Sequence, residues 1–71
     1  MKSYIDVERV GDNLRTARVK AGYLQADVAE LLGVTRQTII KYENDPGRID
    51  IYRLFDLAKI YGCSVSSFFG G

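Results

Sequence analysis

At 71 residues, 46% of them apolar and 27% charged, with a single proline, the chain has the length of one small domain and the composition of a folded one. It contains no histidine and one cysteine, Cys63, which excludes an internal disulfide framework, the usual zinc ligand sets and a Ser–His or Cys–His nucleophilic pair. Ten Lys and Arg against nine Asp and Glu give a net charge of +1, so a polyanion would have to be met by one face rather than by bulk charge.

No catalytic, metal or cofactor site is expected from these residues. No apolar run approaches the roughly 20 residues that span a bilayer. The opening Met1-Lys2-Ser3-Tyr4 leads into mixed charge rather than an apolar stretch, so no secretory signal is expected. A small binding module in a reducing, cytoplasmic compartment fits best.

The apolar spacing predicts five helical segments, no strand and an all-α domain over residues 1–71. In the first segment Val7, Val10, Leu14, Ala17 and Ala21 recur at steps of three or four, with Asp6 placed to cap and Gly22 to stop it. The second, Gln25 to Leu32, sets Val28, Ala29, Leu31 and Leu32 against Asp27 and Glu30, and Gly33 ends it. The third opens on Thr35 and runs to about Asn44, where Asn44-Asp45-Pro46-Gly47 breaks the chain. Asp50 caps the fourth, whose stripe is Ile51, Leu54, Phe55, Leu57, Ala58 and Tyr61, closed by Gly62. Ser64 is placed to cap a last short turn, Val65 to Phe69. Gly70 and Gly71 are expected to form a disordered tail.

On the third segment, about 100° per residue sends Ile39 and Tyr42 inward, with Glu43 near them. Arg36, Gln37, Ile40, Lys41 and Asn44 fall on the opposite surface. That outer set has the chemistry of base-edge readout. Arg matches two guanine acceptors, Gln matches adenine, and an aliphatic group meets a thymine methyl. The same residues would also make an ordinary solvated helix face. The compact corner through Gly33, which projects the segment outward, favours the first reading.

The stretch from Gln25 to Asn44 resembles the helix-turn-helix of the Cro/CI phage-repressor (lambda-repressor-like) family. Its most specific elements are Gln25 followed by Ala29, the Gly33-Val34-Thr35 corner, and Ile39 with Glu43. The similarity extends to Tyr61-Gly62-Cys63-Ser64-Val65 and back to Arg18–Gly22. It implies that the segment after the turn lies in the major groove of double-stranded DNA, with Arg36, Gln37, Lys41 and Ile40 at base edges. Gln25 would hold a phosphate, with Thr35, Thr38 and Asn44 on the sugar–phosphate backbone. It also implies a structural ion pair between Arg18 and Glu43. One departure is Leu24, where the family usually carries a capping Ser, Thr or Asn.

The family commonly dimerises through its C-terminal region, so Ile60, Phe68 and Phe69 are candidates for a homodimer interface that would match a palindromic operator. Adjacent on a short turn, Phe68 and Phe69 cannot both point one way, and one is expected in the core. The leading expectation is a sequence-specific transcription regulator, most simply a repressor. The alternative is a protein–protein module, such as an antitoxin subunit or an anti-regulator.

Overall fold

A computed structural model describes residues 5–70; Met1-Lys2-Ser3-Tyr4 and Gly71 of the sequence reading lie outside the described residues. Among those described there are four α-helices and no strand: α1 (Val7–Lys20), α2 (Gln25–Leu32), α3 (Arg36–Asn44) and α4 (Ile51–Tyr61). Two 3-10 turns, Pro46–Arg48 and Val65–Phe68, follow α3 and α4. No helix among these residues is long and apolar enough to cross a membrane.

Local chemistry sets the boundaries. Asp6 opens α1 by accepting from the Arg9 N–H at 3.2 Å, and Asp50 opens α4 by accepting from the Tyr52 N–H at 2.8 Å. Thr35 Oγ1 accepts from the Thr38 N–H at 3.2 Å and so starts α3. At the far ends of α1, α2 and α4 the same closure recurs. The residue after each glycine donates back across the last turn: Tyr23 to the Arg18 carbonyl, Val34 to Ala29 and Cys63 to Ala58. For Gly33 this demands φ +70°, a left-handed conformation that side chains resist. Helix α3 ends differently, at Asp45, because Pro46 has no N–H with which to continue it.

The final segment departs from the expectation of a fifth helix. It is a four-residue 3-10 turn ending at Phe68, and the Ser64 side chain makes no capping bond. The Ser64 carbonyl instead accepts from Ser67 Oγ at 2.6 Å. Nor does Gly70 stand free. Asn13 Nδ2 donates to the carbonyls of Phe68 and Gly70, both at 2.8 Å, and ties the last turn to α1.

All four helices and the last turn feed one core: Val10, Leu14, Val28, Ala29, Ile39, Leu54, Leu57, Ala58, Tyr61 and Phe68. Several stripe positions fall short of it. Val7, Leu31, Ile51 and Phe55 are exposed, as is Ala21, because a stripe computed along one helix runs on past the neighbours that could cover it. Tyr42, expected inward, sits half-buried at the rim.

A contact without sequence precedent fixes the tilt of α1 against α3. Gly11 is buried inside α1, and a methyl group there would run into the backbone carbonyl of Glu43. The glycine is needed for room, not for turning.

Candidate nucleic-acid interface

The corner between α2 and α3 presents the candidate face. With Ile39 almost fully buried and Glu43 buried one turn on, rotation about the α3 axis leaves Arg36, Gln37, Lys41 and Asn44 exposed. Ile40 lies among them but is half-buried, which limits the apolar surface it can offer. These side chains stand on one short, well-capped helix, so a single rigid element carries them. Thr35 and Thr38 flank its first turn, and their hydroxyls share a hydrogen bond at 3.0 Å. Either hydroxyl must exchange or supplement that bond to meet a phosphate.

Behind this face lies a buried polar cluster. Arg18 Nε donates to Glu43 Oε2 at 2.7 Å, and Nη2 approaches Oε1 at 3.4 Å. Arg18 Nη1 donates to the Tyr23 carbonyl at 2.9 Å. Both residues are buried, at 8% and 6% exposure. Taking these two charges out of water is costly, and the forked geometry with its extra carbonyl acceptor offsets much of that cost. The cluster joins α1, the loop before α2 and the end of α3, which sets the angle at which α3 is presented.

Gln25 belongs to the same cluster. Its Nε2 donates to Glu43 Oε1 at 3.1 Å, so the carboxamide is anchored inward and is not an unattached surface group. Arg15 reaches to 4.0 Å from Glu43 Oε1 at the outer edge of the cluster. Sequence reasoning missed both contacts. The positions involved are far apart in the chain, and no local signal links them.

The departure at Leu24 also has a structural answer. Leu24 is exposed and contributes no cap, but the Asp27 carboxylate accepts from the Leu24 N–H at 2.8 Å. That is the returning half of a capping box, and an acidic residue three positions after the cap was the signal for it.

Burial pushes the Tyr61 phenol above its ordinary value, with the Glu43 charge adding to the rise and Arg18 opposing it. Its ring packs edge-on to Phe68, centroids 6.4 Å apart, and lies 6.4 Å from the Tyr23 ring.

The three C-terminal residues expected to share an interface are not brought together. Phe68 is the one of the adjacent pair that enters the core, so it cannot line an interface; its fully buried ring packs beside Tyr61. Ile60 lines one recess with Leu31 and Leu32, whereas Phe69 lines another with Ile5, Val7 and Ile51. Nine residues separate Ile51 from Ile60, which sets them on opposite faces of α4.

The helix-turn-helix family model matches residues 14–68, which covers α2, the Gly33 corner, α3 and the core built on them. The chain is 38% identical over 65 residues to an uncharacterized HTH-type transcriptional regulator of Sinorhizobium medicae, covering 92% of this chain and 46% of that protein. It is 34% identical over 61 residues to the HTH-type transcriptional regulator ImmR of Bacillus subtilis, covering 86% of this chain and 48% of that one. A third relative is the SPbeta prophage-derived uncharacterized HTH-type transcriptional regulator YonR of Bacillus subtilis, 39% identical over 54 residues, or 76% of this chain and 50% of that one. The chain thus spans about half the length of these curated relatives. With the Gly33 corner, the capped α3 and the buried Arg18–Glu43 pair on one framework, and with a matching model over most of its length, the chain belongs to the Cro/CI-type helix-turn-helix family.

Proposed function

We propose that this chain binds double-stranded DNA in a sequence-dependent way and regulates transcription, with α3 in the major groove. Arg36, Gln37 and Lys41 read base edges there, and Ile40 adds a narrow apolar contact. Gln25, Thr35, Thr38 and Asn44 hold the sugar–phosphate backbone. The observation that carries this reading is the shared exposure of Arg36, Gln37 and Lys41 on one rigid helix whose inner face is locked by Ile39 and Glu43. The naming of its relatives as transcriptional regulators supports it further. Repression is the output that site occupancy alone provides, and duplex DNA as partner implies a cytoplasmic protein. A symmetric homodimer on a palindromic operator would pair two such helices. Its surface is the recess of Ile5, Val7, Ile51 and Phe69, in place of the Ile60–Phe68–Phe69 set.

Selection from random duplexes at low salt tests the reading. A motif should enrich, and Gln37→Ala and Lys41→Ala should each weaken binding to it by about 1–3 kcal/mol, with folding stability unchanged. Failure of any motif to enrich overturns the proposal. It would favour a protein–protein module, for which the exposed Ile51, Tyr52 and Phe55 on α4 offer a surface.

A further inference from the structure

Gln25 stands at the boundary between the buried cluster and solvent. A free surface glutamine samples many rotamers, and its carboxamide can present either edge outward. Here it faces a carboxylate, which only accepts hydrogen bonds. Glu43 Oε1 therefore selects the NH2 edge of Gln25, and one N–H is committed inward at 3.1 Å. The carboxylate is itself held by Arg18 at 2.7 Å, so the anchor is as rigid as the core. On the solvent side, Gln25 lines a groove of about 430 Å³ with Arg18, Leu24, Ala26 and Arg36, which runs between the first turns of α2 and α3.

We propose that Glu43 is a positioning residue for DNA binding: its carboxylate fixes the Gln25 carboxamide so that the second N–H meets a backbone phosphate in the groove beside Arg36. This rests on the DNA-binding reading above and adds a specific division of labour to it. Arg18 and Glu43 hold the three helices together, and through Gln25 the same carboxylate orders a phosphate donor before the duplex arrives. The ordering cost is met on folding, so it does not weaken binding.

The test must separate positioning from stability. Deleting one member of a buried pair unfolds more than it informs, but replacing both with apolar residues of similar volume is often neutral or stabilising. The Arg18→Met/Glu43→Met double variant therefore keeps a folded domain while removing the Gln25 anchor. Against a selected duplex, Gln25→Ala in the wild-type background should weaken binding by about two- to tenfold, the worth of one hydrogen bond. In the Met/Met background the same substitution should cost clearly less, because Gln25 is then no longer held. An equal loss in both backgrounds overturns the positioning role and leaves the DNA-binding reading intact. A wild-type protein that binds no duplex overturns both.

Should the double variant fail to fold, glutamine-selective 15N labelling of the wild type decides. The proposal expects one Gln25 amide proton displaced from its free-glutamine position and the other shifting on addition of duplex. Two Gln25 protons at free-glutamine positions that exchange rapidly and do not respond to duplex would overturn it.

Discussion

Tyr61 connects the aromatic part of the core to the ion pair beneath the candidate interface, and its phenol reports on both. Burial and the Glu43 charge raise its pKa above the ordinary value of 10.0. Below that value both folded and unfolded states hold the proton. Above it the unfolded chain releases the proton first, so stability is complete at neutral pH and falls as pH rises. The expected loss is about 1.4 kcal/mol per pH unit above pH ~10. Urea denaturation across that range should lose this share of its slope in Tyr61→Phe; an unchanged slope would show that the phenol is not the responsible group. At this scale the sequence was readable where chemistry demands a partner. An inward-facing Glu43 needs a partner, and the family resemblance supplied Arg18, which lies 2.7 Å from it. Gln25 on the same carboxylate was not readable, because a glutamine is stable in water and nothing compels it inward.

The α2 helix carries the clearest consequence at the level of elements. It has eight residues, opens on an exposed Leu24 without a side-chain acceptor, and relies on Asp27 for its only reciprocal bond. Leu24→Ser would supply the missing acceptor while giving up a side chain that is 69% exposed. Such a cap should stabilise the fold by about 1 kcal/mol, read as a raised urea midpoint with an unchanged slope. A lowered midpoint would mean that Leu24 packs on something in solution. The caps at Asp6, Thr35 and Asp50 and the glycine stops were legible because they depend on residues within one turn, whereas the expected Ser64 cap does not form. The extent of the buried stripes was not, since Ile51 and Phe55 keep helical spacing yet stay more than half exposed. The last turn was overread for a related reason. Val65–Phe68 is too short for a full α-helical ladder and is secured by Asn13, more than fifty positions away.

Considered whole, the molecule is nearly neutral, with a net charge of +1, and its exposed apolar residues include Ile51, Tyr52 and Phe55 on α4 and Phe69 after it. The proposed pairing of two copies would use the recess of Ile5, Val7, Ile51 and Phe69, of about 280 Å³. Sedimentation of the wild type should show reversible association in the submillimolar range, and Phe69→Ser should remain monomeric while folding normally. Wild type that stays monomeric throughout overturns the dimer. Sequence alone placed exposed aromatic surface at the C-terminal end, which Phe69 provides and the buried Phe68 does not. Which of two adjacent phenylalanines enters a core depends on the space beside Tyr61, a property of the assembled helices.

Two glycines of this chain impose opposite rules on whatever might replace them. At Gly33 an added Cβ would meet nothing within 4 Å, and the backbone φ of +70° is what objects. Asparagine, which visits left-handed conformations with least penalty, is then the mildest replacement, and a β-branched residue the worst, irrespective of bulk. At Gly11 the ranking is by volume alone, and even alanine, the best helix former, is too large. The corner before α3 is therefore limited by backbone conformation, and the seat of α3 on α1 by space.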